Sequence, residues 1–125
     1  MIKGIGIDLV KNSRVKLIHK KYKESFAKKI LSEDELSLYR SSKSKTTFLS
    51  KRLASKEAFS KAIGTGLYRN GIYPSSLTIQ HDILGKPTFL VNKDVATFLD
   101  KINATSIHLS ITDTDELTTA VVILE

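Results

Sequence analysis

Residues 46–63, TTFLSKRLASKEAFSKAI, form the stretch from which the rest of the chain is best read. They predict a helix, closed by Gly64 at the C′ position. Stepping the run at 100° per residue gives no clean stripe. Apolar residues fall on most of the circumference, and the fillers are small: Ser50, Ala54, Ser55, Ala58, Ser60 and Ala62. Such a helix is hemmed in on several sides and does not lie on a surface. Glu57 and Lys61 stand at i and i+4, on the same face as Ala54. Read alone they are a solvated pair worth about 0.2–0.5 kcal/mol. On a helix with so little polar surface, both charges are expected to face a site.

Working outward, Ser32-Glu-Asp-Glu35 is a capping box that starts a helix running to about Arg40. Before it, a basic helical stretch runs from Asn12 or Ser13, as N-cap, through Val15, Ile18, Tyr22 and Phe26. Residues 2–10 (IKGIGIDLV) alternate around Ile5, Ile7 and Leu9 as a strand, with Gly4 and Gly6 permitting close backbone approach. On the other side, residues 76–82 and 88–91 read as strands around the turn Leu84-Gly-Lys-Pro87. Asn92 or Asp94 caps a helix to about Asn103. Residues 106–111 and 117–124 make a final strand pair around 112–116. The order β-α-α-α-β-β-α-β-β, with hairpins in the second half, predicts an α+β fold: a small antiparallel sheet with a long central helix, not a doubly wound sheet.

The length of 125 residues suits one domain, 1–125. A 41% hydrophobic and 26% charged composition excludes disordered, collagen-like and coiled-coil classes. Without cysteine there are no disulfides, iron–sulfur clusters or thiolate zinc sites. No apolar run is long enough to span a membrane and no secretory signal opens the chain, so cytoplasm is the expected compartment. The net charge of +7 is unevenly spread. Residues 1–70 carry 17 Lys and Arg against 6 Asp and Glu, whereas residues 71–125 carry 3 against 7. A basic half steers acidic partners towards it without choosing among them.

Asp8, near which this apolar strand is expected to end, is placed either to face a ligand or to bond its own turn. Two carboxylates from separate elements, Asp8 and Glu57, would suit a magnesium ion, which takes few protein oxygens. Gly64-Thr-Gly66 follows a helix and lacks the ending of a P-loop. His19 is expected to be exposed, and His81 and His108 lie on strands; no His or Cys cluster has metal-ligand spacing. A basic module binding RNA or acidic proteins would account for the charge asymmetry, but no nucleic-acid-binding signature accompanies it.

Residues 4–14 (GIGIDLVKNSR), 48–66 (FLSKRLASKEAFSKAIGTG), 85–87 (GKP) and 108–125 (HLSITDTDELTTAVVILE) together resemble the holo-[acyl-carrier-protein] synthases, the short bacterial class of 4′-phosphopantetheinyl transferases. The likeness runs essentially end to end. It implies the fold of that family, transfer of phosphopantetheine from coenzyme A to a serine of apo acyl carrier protein, a role in fatty acid biosynthesis, and release of adenosine 3′,5′-bisphosphate. Residue by residue, it implies that Asp8 and Glu57 hold Mg²⁺ against the pyrophosphate, with Lys61 beside the phosphates. Arg52 would meet a coenzyme A phosphate, the 3′-phosphate above all. Gly64, Gly66, Lys86 and Pro87 would shape the nucleotide cleft, and His108 would take a phosphate-side or supporting role. Arg14 and its basic helix would dock the acidic carrier protein. Asp113 stands where many relatives have a second histidine. The family's small members form trimers with sites at subunit boundaries, so a homotrimer is implied. The serine's proton would pass to Glu57 or to a water at the ion.

Overall fold

The long helix expected at the centre is there. In a computed structural model describing residues 1–125, α4 runs Lys45–Ile63 and buries residues on several sides, among them Leu49, Lys56, Ala58, Phe59 and Ala62. Gly64 ends it in the left-handed region at φ 79°, its N–H bonded to the carbonyls of Ser60 and Lys61. A side chain there would be strained, so glycine fixes where the helix stops.

Around α4 the chain lays β1 (Gly4–Lys11), α1 (Asn12–Tyr22), α2 (Glu24–Ile30) and α3 (Glu33–Ser41) before it. After it come β2 (Leu77–His81), β3 (Pro87–Val91), α5 (Lys93–Lys101), β4 (Ile107–Asp113) and β5 (Leu117–Leu124). The strands form two antiparallel sheets, one of order β1-β5-β4 and one a β2-β3 hairpin. That matches the α+β expectation and divides the sheet in two.

Registers fix which side chains meet α4. Ile5 pairs with Ile123, Ile7 with Val121, Asp8 with Ala120. Gly4, Gly6, Asp8 and Val10 therefore face the helix, while Ile5, Ile7 and Leu9 face away. A methyl group at Gly4 or Gly6 would overlap the carbonyl oxygens of Ala62 and Ala58. Lacking side chains there, β1 lies backbone-to-backbone on α4, which carries Asp8 to the helix. The opposite face stays open, with Ile5, Ile7 and Leu9 exposed by 64%, 62% and 62%.

Three local expectations are corrected. The basic stretch after β1 is two helices, broken at Lys23, whose φ of 49° is rare for a residue with a side chain. Neither Asn12 nor Ser13 caps α1; Lys11 occupies that position without a side-chain bond. Asn12 instead donates to the Thr114 and Asp115 carbonyls and accepts from Thr118 Oγ1, tying α1 to the β4–β5 turn. His19 is half-buried and bonded to the Tyr39 hydroxyl at 2.6 Å, contrary to the exposed position expected. The capping box at Ser32 and Glu35 forms as read, and Asn92, not Asp94, caps α5.

Candidate active site

Asp8 arrives from β1 and is held by its backbone, since Thr119 Oγ1 on β5 donates to the Asp8 carbonyl at 2.8 Å. Lys61, one turn beyond Glu57 on α4, reaches across the seam. Its Nζ donates to the Ile7 carbonyl at 2.9 Å and to Asp8 Oδ1 at 3.1 Å. Lys61 thus pairs with the strand acid, and the i,i+4 pair with Glu57 does not form. Burial, then the neighbouring Asp8 charge, raises the Glu57 carboxyl above its ordinary value; Lys61 and a bond from Ser60 pull the other way. Two acids and a lysine from different parts of the chain share one electrostatic site. A carboxyl whose ionisation is disfavoured by burial and by a neighbouring acid is part of a donor set a small divalent cation would relieve, and Mg²⁺ asks for few protein oxygens. No third His, Cys, Asp or Glu joins them.

Gly64 and Gly66 follow Lys61 at the end of the helix, both with left-handed backbones. Lys86 and Pro87 lie on the β2–β3 hairpin. Asp82 braces that turn, its Oδ1 accepting from the N–H groups of Leu84 and Lys86 at 2.8 and 2.9 Å. Pro87 is the strand partner of His81. Burial pushes the His81 imidazole below its usual value, as do the charges of Arg52 and Lys51.

Arg52 is placed otherwise than a surface phosphate ligand. It is only 6% exposed, its guanidinium carbon 3.9 Å from the centre of the Phe48 ring and its Nε 3.4 Å from Glu35 Oε2. Glu35 and Lys56, bonded to each other, are fully buried beside it. The sequence marks Glu35 only as a helix cap and leaves Lys56 unmarked. The one available signal was a charged residue on the densely packed part of 46–63.

His108 is not brought to the acids. Its β5 partner is Ile123, which places it on the sheet face turned away from α4, where it bonds Glu125 at 3.1 Å. Arg14 is exposed on α1. Asp113 lies 3.7 Å from Lys51. A polar groove of about 530 Å³ between the starts of α1 and α4 and the β4–β5 turn holds neither Asp8 nor Glu57.

An α+β scaffold clamped on one helix, with two acids and a lysine at the strand–helix seam, defines the class. The model of the 4′-phosphopantetheinyl transferase superfamily matches residues 4–122, and the chain belongs to that family. It is 43% identical to the holo-[acyl-carrier-protein] synthase of Nitrosospira multiformis, over all of this chain and 99% of that protein. The crystal structure of the corresponding synthase from Neisseria meningitidis superposes with a TM-score of 0.95 at 36% identity, covering 100% and 99% of the two chains. The Bacillus anthracis synthase, solved in complex with CoA (3′,5′-ADP), superposes at 0.83 with 32% identity over 100% and 97%.

Proposed function

We propose that this chain transfers the 4′-phosphopantetheine group of coenzyme A to a serine of apo acyl carrier protein, as a magnesium-dependent holo-[acyl-carrier-protein] synthase. The observation that carries the reading is the meeting of Asp8, Glu57 and Lys61 at one seam. The serine oxygen forms the new bond to phosphorus, the bond from phosphorus to the bridging oxygen breaks, and adenosine 3′,5′-bisphosphate departs. Such a reaction needs positioning and charge neutralisation more than covalent help.

Asp8 and Glu57 would hold the ion, which when bound would neutralise charge on the diphosphate. Lys61, already anchored on the Ile7 carbonyl, presents a fixed positive charge beside it. Glu57, or a water at the ion, would take the serine's proton. Arg52, Lys86 and Pro87 would meet the nucleotide end, with Gly64 and Gly66 leaving the cleft open, and Arg14 would dock the anionic carrier protein. No helix is long and apolar enough to cross a membrane, which accords with a cytoplasmic enzyme.

The exposed Ile5, Ile7 and Leu9, with Val121 and Ile123 beside them, support a homotrimer built through that sheet face. His108 borders the same face, so it would serve a neighbour's site. Mass spectrometry of apo acyl carrier protein incubated with the protein, Mg²⁺ and coenzyme A tests the proposal. A phosphopantetheine adduct is expected, and its absence would remove the reading. Coenzyme A with Mg²⁺ should also raise the melting temperature, and RNA should not substitute.

A further inference from the structure

We propose that Glu35 is a positioning residue for the donor. By aiming Arg52 it sets the preference for a coenzyme A that carries its terminal phosphate. This rests on the reading of Arg52 as a ligand of that phosphate.

Glu35 has no solvent exposure and four partners. Its Oε1 accepts from the Ser32 N–H and from Lys56 Nζ, while Oε2 accepts from the Ile79 N–H at 3.0 Å and faces Arg52 Nε. Lys56 is also committed to the Ile30 carbonyl at 2.7 Å. One carboxylate therefore sits among two cations, and Lys56 is the one it neutralises at bonding distance. Arg52 is the cation in excess. Its Nε is buried without a hydrogen-bond partner, so the side chain's residual 7% exposure lies elsewhere on it. The terminal nitrogens are not among the buried atoms lacking partners, and they are where the guanidinium meets solvent.

An unneutralised cation in a nearly dry setting is costly unless an anion completes it. Arginine's planar fork suits phosphate, provided the plane is held. Two constraints hold it: Phe48 under the face and Glu35 on the Nε edge. The same carboxylate grips β2 through Ile79, so the aim of Arg52 and the seat of the hairpin bearing Lys86 are set together.

The test compares kcat/KM for coenzyme A and for 3′-dephospho-coenzyme A, with apo carrier protein, in the wild type and in Arg52→Gln, Glu35→Gln and Glu35→Gln/Lys56→Met. The double variant removes the buried ion pair together and serves where the single one folds poorly. The wild type should favour the phosphorylated donor, and Arg52→Gln should erase most of that preference. Glu35→Gln and the double variant should lower it about tenfold, chiefly through the KM for coenzyme A. Equal losses on both donors would show that Glu35 only supports the fold, and would overturn the proposal. Preference lost in Arg52→Gln but intact in both Glu35 variants would overturn it while leaving the Arg52 reading standing. Preference intact in Arg52→Gln would sink the Arg52 reading and this proposal with it. Failure of the wild type with both donors would sink the proposed function itself.

Discussion

Adjacent residues of α4 serve opposite ends. Lys56 points into the protein, where its ammonium is enclosed by Glu35 and the Ile30 carbonyl. Glu57 turns to the seam with β1, half-buried, beside a second acid and a lysine whose side chain is 56% exposed. The inner cluster has one acid and two cations, and the outer one has two acids and one cation. Each is short of one charge of the opposite sign. The inner shortfall suits a phosphate, the outer one a cation, and a metal-bound diphosphate with a distant phosphate would supply both. Under the proposed function, the helix between these two complementary vacancies would space the two ends of a long anionic donor.

The contrast can be broken from either side. Lys56→Ala removes the cation bonded to Glu35 and leaves that buried carboxylate only the longer contact to Arg52, so it should cost about 3–5 kcal/mol of stability, read as a lower urea midpoint. Glu57→Gln should do the reverse. Transfer should fall about 10²–10³-fold, the scale of losing one charge-stabilising group. Its melting temperature without Mg²⁺ should be no lower than the wild type's, because the substitution removes a carboxylate disfavoured by burial and by Asp8. A stable, active Lys56→Ala protein, or a Glu57→Gln protein that turns over normally, would erase the distinction between the clusters.

The outer cluster was legible in the sequence and the inner one was not, for a physical reason. Glu57 and Lys61 stood out because charge on a helix with so little polar surface needs an explanation. Asp8 stood out as a carboxylate at the end of an otherwise apolar strand that also carries Gly4 and Gly6. Those glycines were read as permitting close approach, and the structure shows the approach is to α4 itself. Glu35 looked complete as the end of a capping box, and it does cap. Its bonds to Lys56 and Ile79 span 21 and 44 residues of sequence, and no local pattern encodes such contacts. The outward turn of Ile5, Ile7 and Leu9 was hidden too, since alternation marks a strand without saying which face meets the core. The break at Lys23 has no signal either, because its positive φ would ordinarily call for glycine.

Gly6→Ala sharpens the contrast through packing. A methyl there would overlap the Ala58 carbonyl, so β1 must lift from α4 and carry Asp8 with it. Overpacking of this kind costs about 1–3 kcal/mol. Coenzyme A turnover should fall further than that loss of folded protein explains, while the inner cluster, on the far side of the helix, should keep its contribution. A turnover loss matching the unfolded fraction alone would show that strand–helix contact does not set the seam.

The smallest effect separates the clusters by pH. Burial lowers the Lys56 ammonium from 10.5 to about 8, opposed by Glu35. Between those values the unfolded chain holds a proton the folded chain has released. Lys56 therefore contributes stability that is present above about 10.5 and is lost as pH falls through about 8. Its slope is at most about 1.4 kcal/mol per pH unit, the limit for one proton. Glu57 acts at the other end: with its folded value raised above 4.5, its contribution is present in acid and is lost as pH rises through that value. Urea midpoints across pH 8–10 should thus rise more steeply in the wild type than in Glu35→Gln/Lys56→Met. Across the acid range, the decline that Glu57 writes into the wild type should be missing from Glu57→Gln alone. If both variants flattened both ranges, the two clusters would be one electrostatic unit, and Lys56 and Glu57 would not be working apart despite pointing apart.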